Sequence, residues 1–409
     1  MTRLRIAFFL TQFPCVSQTF VLNQITALID AGHDVQIFAG RGEENGAVIH
    51  EDFRKYHLAG KTHYIPLLPG NTLRRLRGAL KIFIRQFTKA PAVCLAALNV
   101  FKFGKHASSF RLLYYASALL ENERAFDIIH CHFGPNGEIA VCLREMGAMT
   151  GKIVTTFHGY DIRDGIAQGG QIYSRLKKWG DLVLSISSYN RQHLDHFGFS
   201  AEKIRHHPVG IDLKKFGFRN RETWAAPATI RIITVARLVE EKGLEHGIRA
   251  VHLLSEKNPR QSIEYLIVGD GPLKTKLQQL IGELGLPCVH FCGAKDQDEI
   301  GPLLQQADIF LLPSIHEALP VVLMEAQAVG LPCVGTKVGS VDEVILEGKS
   351  GFVVAPANPE ALAAKLDYLI NHPPCWAEMG RAGREHMASS FDHHKLTAQL
   401  QEFYRELIR

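Results

Sequence analysis

Short apolar runs separated by amphipathic stretches recur along almost the whole chain. Residues 4–10 and 34–38 read as strands, with a helical pattern over 19–31 between them. After a long helical block come strands at 127–131, 152–157, 182–186 and, briefly, 204–206. The alternation restarts at 229–236 and continues through strands at 265–269, 289–292, 309–312, 333–335 and 351–354. Helical patterns, including 273–284 and 359–371, fill the intervals. Apolar runs this short, each followed by a helix, suit strands buried on both faces of a parallel sheet. The pattern predicts an α/β protein of two doubly wound domains, 1–206 and 218–390, joined by a turn-rich linker at 207–217. A last segment, 391–409, carries Leu396, Leu400, Phe403, Tyr404 and Leu407 at helical spacing and is expected to pack back toward the first domain. Ligands of such sheets bind at the carboxyl ends of the strands, so the cleft between two such domains is the expected site.

Composition narrows this only a little. At 409 residues, 46% hydrophobic and 21% charged, the chain is sized for two globular cores. The run after Arg3 and Arg5 is too short for a signal peptide or a membrane span and fits a first strand better. Eight cysteines show no CxxC pair and sit mostly in apolar runs, as small core residues of a reducing, cytoplasmic compartment do. In His130-Cys131-His132 the cysteine faces away from the histidines on a strand, which favours packing over zinc.

Charge changes the picture more. Residues 53–120 contain no acid and twelve Lys or Arg, so the net +5 of the whole chain conceals a basic block and an acidic remainder. Within it, Leu73, Leu76, Leu80, Phe83, Ile84 and Phe87 fall at helical intervals among Arg74, Arg75, Arg77, Lys81 and Arg85. That is a basic amphipathic helix, suited to an anionic membrane surface. The competing reading is a domain helix with a basic outer face. No aromatic-interleaved platform or reader motif points to nucleic acid.

Candidate chemistry follows the predicted strands. Arg237 ends the first strand of the second domain and Lys242 precedes a helix, where a fork and a point charge could hold a diphosphate or simply be solvated. Gly269-Asp-Gly271-Pro is a glycine turn that lacks the third glycine of a dinucleotide fingerprint, since Lys274 stands there. Glu317 lies in a strand-to-helix loop and Glu325 inside the helix that starts near Pro320. Two acids beside an anion-binding helix N-terminus suit a diphosphate flanked by hydroxyls, as in a nucleotide sugar. Asp296-Gln-Asp298 sits at a helix start, so its aspartates read as capping residues and not as metal ligands.

In that order, Gly210-Ile-Asp-x-x-x-Phe216, Arg237 with Lys242-Gly, Gly269-Asp-Gly-Pro272 and Glu317-x7-Glu325 resemble the retaining family-4 glycosyltransferases of the two-domain GT-B fold. Phe13-Pro-x-x-Ser17-x-Thr19-Phe, His130-x-His132-Phe-Gly134 and Phe157-His158-Gly-Tyr-Asp161 resemble the branch that builds bacterial exopolysaccharides such as colanic acid. The resemblance implies that Arg237 and Lys242 neutralise the diphosphate leaving group without a metal or other cofactor. It implies that Gly271 and the N–H groups of Val321 and Val322 meet the donor, Glu325 the ribose, and Glu317 and His158 the donor sugar. Ser17, Thr19, His132 and Asp161 would belong to the acceptor side, although Ser17 and Thr19 also suit helix capping. The implied activity is retaining transfer of a hexose from a nucleotide diphosphate sugar to a polyprenyl-diphosphate-linked oligosaccharide in exopolysaccharide synthesis. It would take place at the cytoplasmic face of the inner membrane, with the basic 53–120 region on the anionic lipid surface. A soluble acceptor, or a non-catalytic nucleotide-binding protein on the same fold, are the alternatives.

Overall fold

The computed structural model describes residues 3–15, 18–41, 51–122, 124–220 and 227–409. The chain divides into two compact units, Met1–His207 with Thr397–Arg409, and Pro208–Leu396. Residues 208–217 are packed within the second unit. The backbone N–H of Ile211 donates to the carbonyl of Phe391, Arg384 donates to the carbonyls of Leu213 and Phe216, and the Phe216 side chain is buried.

The first unit is built on seven strands, β1 (Arg5–Leu10), β2 (Asp34–Ala39), β3 (Thr62–Tyr64), β4 (Ala125–His132), β5 (Thr150–Phe157), β6 (Leu182–Ser185) and β7 (Ile204–His206). They lie side by side in the order β3-β2-β1-β4-β5-β6-β7, every pair parallel. Strand β1 explains why the run is apolar throughout. Ile6, Phe8 and Leu10 enter one core, and Ala7 and Phe9 enter the other on the opposite face. Four helices of this unit matter below: α1 (Thr19–Asp30), α2 (Thr72–Phe87), α3 (Gly134–Glu145) and α4 (Tyr160–Ala167). Strand β3 is not foreseen by the pattern, because three residues inside a basic stretch are too few to show a period of two.

Helix α2 forms over the expected residues. Asn71 caps it, its side-chain oxygen accepting from the N–H groups of Leu73 and Arg74 at 3.0 and 3.1 Å. Such a cap stabilises by about 1 kcal/mol. Its burial is the reverse of an ordinary surface helix. Ala79 and Gln86 face inward, while Leu73, Leu76, Leu80, Ile84 and Phe87 are all exposed, Ile84 at 66%. Those five residues of the apolar stripe point outward, with Arg74, Arg77 and Lys81 on the same helix, while Phe83 is partly buried and packs with Ile82 against the core.

The second unit has six parallel strands, β8 (Thr229–Val235), β9 (Ser262–Val268), β10 (Val289–Gly293), β11 (Ile309–Leu312), β12 (Cys333–Thr336) and β13 (Gly351–Val354), in the order β10-β9-β8-β11-β12-β13. Its helices include α5 (Leu244–Lys257), α6 (Gln297–Gln306) and α7 (Val321–Val329). Helix α6 starts with a capping box in which Glu299 accepts from the N–H of Asp296 at 3.0 Å, the helix-start role expected of Asp296. Helix α8 (His393–Ile408) ends the chain; its Leu400 and Tyr404 are fully buried in the core that holds Phe8.

Both sheets reverse direction of winding at one place, between β1 and β4 in the first unit and between β8 and β11 in the second. At such a switch point the connections leave on opposite sides of the sheet and open a crevice at the strand ends. The residues singled out above lie at or beyond the carboxyl ends of β1, β4, β5, β8, β9 and β11.

Candidate active site

In the second unit the loops after β8, β9 and β11 are laced together by their backbones. The N–H of Leu238 donates to the Asp270 carbonyl and that of Leu273 to the Leu238 carbonyl, at 2.9 and 3.0 Å. Gly269 and Gly271 have φ of +141° and +157°, and a Cβ on either would fall 1.9 Å from the Ala236 oxygen or 2.6 Å from the Leu238 oxygen. These glycines are therefore required by the contact with the loop that carries Arg237. Gly271 thus shapes the loop in which a donor contact is expected of it. The N–H groups of Ile315 and His316 both donate to the carbonyl of Glu241, at 2.9 and 3.0 Å, which ties the Glu317 loop to Lys242.

The side chains then meet. Lys242 Nζ lies 2.6 Å from Glu317 Oε1, and Ser314 Oγ donates to the same oxygen at 2.7 Å. The Glu317 side chain is only 7% exposed and that of Lys242 21%, so the pair is partly withdrawn from water. Arg237 is exposed, and among the described residues its guanidinium has no ion-pair or hydrogen-bond partner. Helix α7 follows directly. Pro320 occupies its N-cap, and the N–H groups of Val321 and Val322 donate to no other described residue, as the first turn of a helix leaves them. Glu325 is buried one turn further along the same helix. The second unit thus brings together a Lys–Glu pair, an unpaired Arg and two open N–H donors at the β8/β11 switch point.

The first unit holds a stack of rings. Phe8, His130, His132 and His158 follow one another with centroids 5.1, 4.8 and 5.3 Å apart and interplanar angles of 26°, 12° and 18°. The strand period of two puts His130 and His132 on one face of β4, while Cys131 enters the opposite core. His130 contacts the Tyr404 hydroxyl at 2.5 Å and the Thr156 hydroxyl at 2.8 Å. His132 uses both nitrogens, Nδ1 at 3.0 Å from His158 Nε2 and Nε2 at 2.9 Å from Gln24 Oε1. Phe20 and Phe133 close on His158 from the sides, with ring centroids at 5.0 and 4.6 Å.

Burial dominates the electrostatics here. It pushes the His158 imidazole down to about 3 and His132 well below its usual range, the latter helped by repulsion from His130 and His158. Both rings are neutral at physiological pH. Burial raises the Asp161 carboxyl to about 7, against hydrogen bonds from the N–H groups of Gly134, His158 and Ile162 at 2.9–3.1 Å.

That geometry bears on two residues expected on the acceptor side, of which Asp161 is also expected to position the His158 loop. Asp161 is fully buried and directs its oxygens at backbone, clamping the Gly134 turn against the His158 turn. His132 is 2% exposed with both nitrogens engaged, so it orients His158 and does not line an open surface. Thr19 is half-buried at the first turn of α1, whose N-cap is Gln18 with no side-chain cap. Ser17 lies outside the described residues. Gln24, Ser314 and Asn190, which donates to the carbonyls of Phe157 and His158 at 3.1 and 2.5 Å, were not foreseen. Gln24 and Ser314 lie close to recognised motifs and Asn190 does not, but for all three only the fold supplies the partner.

Comparisons with known proteins fit this arrangement. Residues 91–215 match the glycosyltransferase family 4 model, and residues 219–386 match glycosyl transferases group 1. The chain is 36% identical over 412 residues to the colanic acid biosynthesis glycosyltransferase WcaL of Salmonella typhimurium, covering 97% of this chain and 98% of that one. It is 36% identical over 421 residues to the amylovoran biosynthesis glycosyltransferase AmsK of Erwinia amylovora, covering 99% and 100%. Among solved structures, Anabaena HepE in complex with UDP superposes with a TM-score of 0.71 at 17% identity, over 98% of this chain and all of that one. The chain belongs to the family-4 glycosyltransferases of the GT-B fold, in the branch of the exopolysaccharide biosynthesis enzymes WcaL and AmsK.

Proposed function

We propose that the protein is a retaining, metal-independent hexosyltransferase that moves sugar from a nucleotide diphosphate donor to a lipid-linked oligosaccharide. The observation that carries this reading is the Lys242–Glu317 pair beside the open N–H groups of Val321 and Val322. A diphosphate received by those N–H groups would draw Lys242 toward itself and release Glu317 oxygens to accept from sugar hydroxyls. Arg237 and Lys242 would then neutralise the negative charge that grows on the leaving diphosphate as the C1–O bond breaks. Glu325 would accept from the ribose hydroxyls. His158 keeps the donor-sugar contact that the family resemblance gives it. Among the described residues of the first unit, Asp161, the acid beside His158, is turned onto backbone N–H groups and is not presented as a nucleophile. Same-face substitution is therefore favoured, with the acceptor oxygen bonding to C1 while its proton passes to the departing phosphate oxygen. UDP sugars are the first donors to try, because HepE has been solved with UDP-glucose as well as with UDP.

The acceptor and the membrane belong to the same reading. The outward apolar stripe of α2, flanked by Arg74, Arg77 and Lys81, would settle into an anionic leaflet and bring the enzyme to a lipid-anchored substrate. No helix among the described residues is long and apolar enough to cross a membrane, so this attachment would be peripheral.

The test is a panel of UDP and GDP sugars scored by nucleotide release, with and without lipid-linked acceptor and with EDTA. Acceptor-dependent release that persists in EDTA and retains the anomeric configuration is expected. Nucleotide binding without turnover of any sugar would overturn the catalytic reading. Loss of turnover in EDTA would reverse the metal-free assignment and point to Asp212, His393 and His394, whose ligand atoms lie within 4.8 Å of one another.

A further inference from the structure

The stacked histidines contain more than a packed core. The chain of contacts from Gln24 through His132 to His158 has a direction, and that direction decides what the outer nitrogen of His158 can do. The Gln24 carbonyl oxygen, 2.9 Å from His132 Nε2, can only accept, so that nitrogen must carry a proton. A neutral imidazole has one proton, which leaves His132 Nδ1 as an acceptor. Its neighbour 3.0 Å away, His158 Nε2, must then be the donor. By the same count His158 Nδ1 is left bare. That nitrogen has no hydrogen-bond partner among the described residues, nor is it among the fully buried polar atoms that lack one.

We infer that Gln24 is a positioning residue that fixes the tautomer of His158 through His132, so that His158 presents Nδ1 as a hydrogen-bond acceptor for a substrate hydroxyl.

Three features of the fold make this more than a chance alignment. The near-parallel stack from Phe8 to His158 holds the ring planes, so nitrogen positions cannot wander. Phe20 and Phe133 restrain His158 further. Burial keeps both imidazoles neutral, which is the condition under which one proton per ring makes the chain directional. His130 stands outside this relay, since Tyr404 and Thr156 occupy its two nitrogens. Were the Gln24 amide turned over, every step would invert and His158 would offer an N–H outward. A donor there could not receive a hydroxyl proton, so a single amide on α1 would set the polarity of the contact. That the outward partner is a sugar hydroxyl rests on the donor-side role proposed above for His158; the tautomer itself does not.

The experiment uses the full chain labelled with 15N at histidine, at pH 8, in wild type, Gln24→Met and Gln24→Glu, with His158→Gln to assign the resonances. Wild type should show His158 protonated at Nε2 and bare at Nδ1. Gln24→Met keeps the length of the side chain but accepts only weakly, and should scramble the tautomers and lower kcat/KM about tenfold. Gln24→Glu restores an acceptor and should restore both the tautomer and kcat/KM to within about threefold of wild type. A His158 ring protonated at Nδ1 in wild type overturns the inference. So does a tautomer untouched by Gln24→Met, or an equal loss of activity in the Met and Glu variants. If the tautomer shifts and turnover does not, the relay stands and the donor-sugar contact of His158 falls.

Discussion

The charges on Lys242 and Glu317 satisfy each other at 2.6 Å, although 75 residues separate them. A buried pair of this kind adds little net stability by itself, because desolvation offsets the attraction, but removing one partner leaves the other uncompensated. This separates two variants. Lys242→Met should lower kcat about 100-fold, as loss of a preorganised charge on a leaving group does. Glu325→Ala should instead weaken nucleotide binding by about 1–2 kcal/mol with a smaller effect on kcat, since ribose is bound alike in ground and transition states. Calorimetry with free nucleoside diphosphate and steady-state kinetics distinguish the two. Equal nucleotide affinity in wild type and Glu325→Ala would remove the ribose assignment. Both glutamates are visible in the sequence because acids rarely sit amid Leu, Pro and Val. The Lys242–Glu317 bond is not, because it depends on the parallel pairing that sets β11 beside β8.

Helix α2 shows where pattern reading stops. Its period, its basic residues and its limits are legible from 72 to 87, but periodicity only says that the apolar residues share a side. Which side faces water is decided by packing: Ala79 and Gln86 meet the rest of the unit, and Leu73, Leu76, Leu80 and Ile84 do not. Contiguous exposed apolar surface of this sort marks an interaction site. Replacing Leu80 and Ile84 together with Asp should abolish flotation with liposomes containing anionic lipid. Neutralising Arg74 and Arg77 should weaken it by about 1 kcal/mol per charge and make the remaining binding less sensitive to salt. Wild-type protein that stays at the bottom of the gradient with anionic and neutral vesicles alike would refute the membrane role of this helix. Arg75 is left out of the test because its Nε donates to the Pro69 carbonyl at 2.8 Å, a bond within the fold.

At the scale of the molecule, buried histidines govern the response to acid. Burial lowers the imidazoles of His130 and His132 well below 6.5, that of His158 to about 3 and that of His207 to about 4. The unfolded chain takes up these protons near pH 6.5 and the folded protein does not. Their contribution to stability is therefore undiminished above 6.5 and falls as the pH drops below it, by up to about 1.4 kcal/mol per pH unit for each such ring until its folded value is reached. Asp161 acts with the opposite sign: its carboxyl, raised from 3.8 to about 7, costs stability as the pH rises through that interval. Four rings outweigh one carboxyl, so the melting temperature should fall steeply between pH 6.5 and 4.5. A flat profile over that range would show that these histidines are open to water.

The sequence by itself determined the two parallel α/β sheets, because their strands are buried on both faces and must read as apolar runs divided by helices. It also placed Arg237, Lys242, Glu317 and His158 in the loops after strands and Glu325 in the helix that follows, since those positions depend only on where each run stops. Tertiary structure alone decided which of these residues meet and which residues serve them. Strand order put the Glu317 loop against Lys242, stacking set His132 against His158, a backbone hydrogen bond tied Asp161 to the same turn, and packing turned most of the apolar stripe of α2 outward. Local pattern records the face and the period of an element. The partner across a sheet, and the proton a buried ring must carry, exist only once distant segments are side by side.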